Sequence, residues 1–156
     1  MGRHASGAGT WTAGLRAIGR FLDAYGISPD DVQLVDGSGL STADLVSPDD
    51  LSRLLVGVQG EPWFADWYAA LPIAGEPDHL VGGTLAERMV GTSAAGNVHA
   101  KTGTLTTTSA LSGYVTTTVG QRLTFSVIEN GLIGAPDTDL EDAIAETLAA
   151  WPNRLP

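Results

Sequence analysis

Apolar residues at Trp11, Leu15, Ile18, Leu22 and Tyr25 recur every three or four positions, and Gly26 stands where a helix on that spacing would end. The run before Thr10, small and glycine-bearing, carries no such period and reads as a flexible lead-in over residues 1–9, with the folded part over 10–156. After the turn "SPDD", the β-branched "VQLV" at 32–35 predicts a short strand, and "DGSGLS" at 36–41 a glycine-broken loop. Residues 47–58, "SPDDLSRLLVGV", predict a helix: Ser47 suits the cap, Pro48 the first turn, and the two acids favour the positive end of the helix dipole. A second helical stretch at 62–72 puts Trp63, Trp67 and Leu71 on one face. Residues 73–83 read as turn-rich loop and 83–91, "GTLAERMVG", as a short helix.

The pattern changes after residue 98. "VHAKTGTL", "SALSGYVTTTV" and "RLTFSVIENG" are rich in Val, Thr, Ile, Tyr and Phe, and predict a meander of three antiparallel strands, the last two separated by Gly120. "DTDLEDAIAETLAAW" then predicts a closing helix, capped by Asp, with Leu140, Ile144 and Leu148 on the buried face. Helices, then strands, then a covering helix make an α+β fold: an antiparallel sheet covered by helices.

Composition narrows the function. The chain has 156 residues and 43% hydrophobic content, enough for one domain with its own core. Its net charge of -10, 18 acidic against 8 basic residues, repels phosphate backbones and argues against a nucleic-acid partner. The absence of cysteine excludes disulfides, thiolate metal sites and a Cys nucleophile. No run of about 18 uncharged apolar residues suggests a transmembrane segment, and the N-terminus does not read as a signal peptide. As written, the chain would therefore be cytoplasmic if expressed in that form.

Of the eight basic residues one is lysine, Lys101, in "HAKTGTL". Lysine, unlike arginine, can share or lose a proton in a desolvated site, and here Thr102 and Gly103 follow it directly. Lys-Thr-Gly is the third signature of serine enzymes that act on penicillin or on D-Ala-D-Ala peptides, beside Ser-x-x-Lys and Ser-x-Asn. The residue types suit the chemistry. An ammonium faces an anionic peptide end, a hydroxyl can donate to the same carboxylate, and a side-chain-free residue on the strand face of the lysine leaves the cleft open. An unpaired amide just after the glycine can donate to a developing oxyanion.

Other chemistry is weaker. Ser38, in the loop Asp36, Gly37, Ser38, Gly39, invites a triad with His79 or His99, but Gly-Ser-Gly is not the Gly-x-Ser-x-Gly elbow, and a tight structural loop accounts for it. Glu76, Asp78 and His79 lack the spacing of a zinc helix and read as solvated loop; no metal or organic cofactor is implied. His99 shares a strand face with Lys101 and reads as a polar rim residue. Trp11, Trp63, Trp67 and Trp151 read as core anchors.

"VQLVDGSGLSTADLVSPDDLSRLL", "LPIAG", "GTLAERM", "AKTGTLTTTSALSGYV" and "LTFSVIENG", in this order over about residues 10–151, resemble the D-alanyl-D-alanine carboxypeptidase/endopeptidase family, serine peptidase family S13, the class C low-molecular-mass penicillin-binding proteins. The resemblance implies part of the penicillin-binding-protein or serine β-lactamase-like transpeptidase fold. It makes Lys101, Thr102 and Gly103 the Lys-Thr-Gly box, and gives Thr104 the oxyanion amide and a second hydroxyl for the terminal carboxylate. The implied ligands are a D-Ala-D-Ala peptide or a β-lactam, and the implied setting is extracytoplasmic, periplasm or cell wall.

The other two boxes are absent. Ser-x-x-Lys would need serine at 98, where Val98 stands, and two residues before Asn97, Asn130 and Asn153 stand Ala95, Ile128 and Trp151. The expectation is a C-terminal segment of a truncated or split family member, inactive alone for want of a nucleophile. An N-terminal partner segment would bring the serine and cover an otherwise exposed sheet edge and apolar face. The alternative is a non-catalytic binding or interaction domain that keeps the carboxylate site; a small hydrolase using Ser38 ranks third.

Overall fold

A computed structural model describes residues 2–134 and 136–155. The chain forms two compact units, dividing between Val58 and Gln59.

The first unit holds α1 (Gly2–Ser6), α2 (Trp11–Asp23) and α3 (Pro48–Gly57). The stretch read as a flexible lead-in thus opens with a short helix. Thr10 caps α2 by accepting from the Ala13 amide at 3.2 Å, and the chain leaves it through Gly26 at φ +74°, a conformation open to glycine. Ser47 caps α3, taking the Asp50 amide at 3.1 Å and donating to the Asp50 carboxylate at 2.6 Å. Ala13, Ile27, Leu55 and Val58 are buried. Trp11 is 72% exposed, so it anchors no core.

The strand predicted over 32–35 is reduced to one bridge, Gln33 with Leu45. The Asp44 carboxylate takes the Val35 amide at 2.7 Å, so a side chain replaces the next rung of the ladder.

The second unit contains α4 (Phe64–Ala69), α5 (His79–Gly82), β1 (His99–Leu105), β2 (Thr108–Thr116), β3 (Arg122–Asn130) and α6 (Asp139–Ala149). The strands form an antiparallel meander in the order β1-β2-β3, as the sequence pattern predicts. Alternation along the strands gives the sheet two different faces. One carries Ala100, Leu111, Val115 and Phe125 into a core closed by Ala145 and Ala149 of α6 and by Ala74, Leu85, Met89, Ala94 and Val98. The other carries Tyr114 under the rings of Phe64, Trp67 and Tyr68, with Lys101 and Gly103 further along β1.

Three helix expectations are corrected. Residues 73–83 are not all loop, because Asp78 caps the single turn of α5 by accepting from Leu80 N at 2.9 Å. Residues 83–91 form a 3₁₀ turn, Gly83–Leu85, and then irregular turns. The left-handed φ of Gly83 (+52°) and Met89 (+58°) stops a continuous helix there. On α6 the buried face is Glu141, Ala145 and Ala149, while Leu140 is 54% exposed. Thr138, not an Asp, occupies the cap position and makes no side-chain cap bond; Asp137 accepts from Asp139 N instead, at 3.0 Å.

Candidate functional site

β1 is an edge strand. Its odd-numbered amides point toward β2, so those of Ala100, Thr102 and Thr104 point outward. The Ala100 amide is taken by Pro72 O at 3.0 Å, whereas those of Thr102 and Thr104 have no hydrogen-bond partner among the described residues. The strip of open backbone therefore begins where the Lys-Thr-Gly stretch does.

The Lys101 side chain is exposed and reaches the same margin, its ammonium donating to Thr102 O at 2.6 Å and lying 3.5 Å from Thr102 Oγ1. In a chain with 18 carboxylate side chains, none pairs with it among the described residues. Thr102 Oγ1 also lies 2.9 Å from Thr84 Oγ1, a contact that nothing in the sequence spacing announces. Across the sheet Lys101 is in register with Ser112 and Ser126, whose hydroxyls are 2.8 Å apart. A Cβ on Gly103 would meet only Ala110 Cβ, at 3.5 Å. The chain's own packing does not require that glycine.

His99 does not sit on a solvated rim. Its ring stacks on that of Tyr68 with centroids 4.2 Å apart, and the Arg122 guanidinium lies over the Tyr68 ring, 5.0 Å from the tyrosine centroid. Nδ1 is buried without a hydrogen-bond partner. Burial lowers the imidazole's pKa below its ordinary 6.5, the nearby Arg122 charge acting in the same direction and the Tyr68 backbone opposing. Burial also pushes the neighbouring Tyr114 phenol up to about 12. Because the folded state resists a proton that the unfolded chain accepts near 6.5, the contribution of His99 is fully present above that pH and is lost as pH falls below it. The melting temperature should therefore drop between about pH 7 and 5, and a His99→Asn chain should show a flatter profile. Equal slopes in the two would remove His99 as the cause.

The Ser38 loop is closed by hydrogen bonds of its own. The Ser38 amide and hydroxyl both donate to Asp36 Oδ1, at 2.8 and 2.6 Å, and Leu40 N donates to Ser38 Oγ at 3.1 Å. The Ser38 hydroxyl bond, then the backbone bond, lowers the Asp36 pKa. The serine proton is thus given to a carboxylate rather than to a histidine. Among the described residues no cluster of metal-ligating side chains forms, and no helix is long and apolar enough to cross a membrane.

The sequence matches the D-Ala-D-Ala carboxypeptidase 3 (S13) family over residues 1–151. It is 47% identical to a D-alanyl-D-alanine carboxypeptidase of Actinomadura sp. (strain R39) over 151 residues, 97% of this chain and 28% of that protein. With carboxypeptidase DacB of Mycolicibacterium smegmatis it shares 37% identity over 81% of this chain and 28% of the relative. Among solved structures, penicillin binding protein 4 (dacB) from Haemophilus influenzae, complexed with a novel β-lactam, superposes with a TM-score of 0.73 at 27% identity, covering 88% of this chain and 32% of that one. The chain belongs to the D-Ala-D-Ala carboxypeptidase 3 (S13) family. It spans under a third of the length of these relatives.

Proposed function

We propose that this chain supplies the Lys-Thr-Gly strand of a serine-type D-Ala-D-Ala carboxypeptidase, and that the nucleophilic serine comes from residues outside this sequence. The observation that carries the reading is an ammonium with no carboxylate partner among the described residues, beside two outward-facing amides on the sheet margin. A peptide laid along β1 meets main-chain donors as an added strand would, and its C-terminal carboxylate meets Lys101 and the hydroxyls of Thr102 and Thr104. The Thr104 amide is the donor for the oxyanion that forms when a serine attacks the penultimate carbonyl. Collapse of that intermediate breaks the peptide C–N bond, the leaving D-alanine amine takes a proton, and water then hydrolyses the acyl-serine ester. Peptidoglycan peptides, or β-lactams in their place, are the fitting ligands, with an extracytoplasmic setting. A partner segment carrying Ser-x-x-Lys and Ser-x-Asn completes the enzyme.

A binding domain without chemistry is the second reading, favoured by Val98: the position that would need serine for a Ser-x-x-Lys ending at Lys101 holds an apolar side chain in the core. Two measurements test what both readings share, the missing nucleophile and the carboxylate site. Fluorescent penicillin should leave no covalent band on the isolated chain; a labelled band refutes an external nucleophile. N-acetyl-D-Ala-D-Ala should shift the amide resonances of Thr102, Gly103 and Thr104, its C-terminal amide analogue should not, and Lys101→Ala should weaken the carboxylate-dependent binding about tenfold. Equal binding by the Lys101→Ala chain would refute the carboxylate site.

A further inference from the structure

We infer that Thr84 is a positioning residue for this site: it donates its hydroxyl proton to Thr102 Oγ1, and so commits the Thr102 proton to an incoming carboxylate. The inference rests on the carboxylate site proposed above.

A threonine hydroxyl has one proton and two lone pairs. Thr102 Oγ1 lies between two groups of the chain, Thr84 Oγ1 at 2.9 Å and the Lys101 ammonium at 3.5 Å. The ammonium can only donate, which occupies one lone pair. Were Thr102 to donate to Thr84, its remaining lone pair would face the margin and repel an anion. With Thr84 as donor, both lone pairs are used from within the chain and the proton is left to point outward. The hydroxyl is then set for a carboxylate before one arrives, which removes a reorientation cost from binding.

An exposed threonine usually holds no fixed rotamer, but this one sits on a rigid support. Leu85, the next residue, is fully buried, and its carbonyl accepts from the Gly75 amide at 3.0 Å. Gly83, the preceding residue, turns the backbone in the left-handed region, and a Cβ there would press on Pro72 Cγ at 3.3 Å. Pro72 is also the residue that pairs with the Ala100 amide, so one segment braces both Thr84 and β1. Arg88 ties the same turn to α6 through Glu141 and Asp142, at 2.8 and 2.6 Å.

The test is the N-acetyl-D-Ala-D-Ala titration on the whole chain, followed by amide resonances, with the C-terminal amide analogue as reference. Thr84→Val keeps the shape and removes the proton. It should weaken the carboxylate-dependent binding about fivefold while leaving affinity for the amide analogue unchanged, and Thr84→Ser should restore it. Native-like spectra of both variants exclude misfolding as the cause. If the wild-type chain binds in a carboxylate-dependent way and Thr84→Val binds as tightly, or Thr84→Ser fails to restore binding, the role of Thr84 is overturned while the site stands. If the wild-type chain shows no carboxylate-dependent shift, both are overturned.

Discussion

Arg88→Ala should cost about 4 kcal/mol of stability, because it leaves a fully buried carboxylate without its cation. Glu141 has no exposed surface; its Oε1 accepts from the Ser109 hydroxyl at 2.6 Å and its Oε2 from Arg88 at 2.8 Å. The guanidinium also bonds Asp142 through two nitrogens, at 2.9 and 2.6 Å. Ion pairs on a surface contribute little, whereas one partner removed from a buried pair strands the other charge. Glu141→Gln, which keeps the shape and removes the stranded charge, should cost less than Arg88→Ala. Urea unfolding of the three chains, followed by tryptophan fluorescence, reads the order directly. A loss under about 1 kcal/mol for Arg88→Ala would show the cluster to be solvated in practice.

Gly113→Ala should be the other severe change, about 3 kcal/mol, by overpacking rather than by loss of a contact. Gly113 stands opposite Ala100 in the β1–β2 register. A Cβ on it would fall within 2.6 Å of Ala100 Cα and still closer to the carbonyl oxygen of His99. Backbone cannot yield as the tip of a side chain does, so the two strands must separate at the point from which Lys101 and Thr102 project. Gly103→Ala is the control. Its added methyl meets Ala110 at an ordinary contact distance, so the fold should change by no more than about 0.5 kcal/mol. Thermal unfolding of the pair separates the two glycines, and similar midpoints would defeat the distinction.

The contrast between those glycines marks how much could be read from the chain alone. Strand pattern and β-branched composition located the meander, and a unique lysine before Thr102 and Gly103 located the edge, because both are local signals. Glu141 was legible only as one acid among several opening a helix, and Arg88 as one of seven ordinary arginines. That they meet, 53 residues apart, depends on tertiary packing. The same packing shifted the face expected of α6 by one residue: Leu148 still packs against the core, but Leu140 is exposed and the fully buried positions are Glu141, Ala145 and Ala149. The strand predicted at 32–35 failed for the opposite reason, an Asp side chain outcompeting the next backbone partner. Thr84 left no mark in the sequence at all, being a polar residue on an irregular turn whose partner lies 18 positions away.

The connection between β1 and β2 is only two residues long, with Leu105 paired to Thr108, and Thr116 pairs with Arg122 across the next. Most contacts of the sheet are therefore short in sequence separation, the kind that close within about 1 to 10 µs as hairpins. The seam between α6 and the turn bearing Arg88 is long-range and must shut later, when desolvating Glu141 becomes affordable only with the guanidinium already at hand. By sequence separation alone, the lysine-bearing hairpin is expected to zip first and the Arg88–Glu141 seam to close after it.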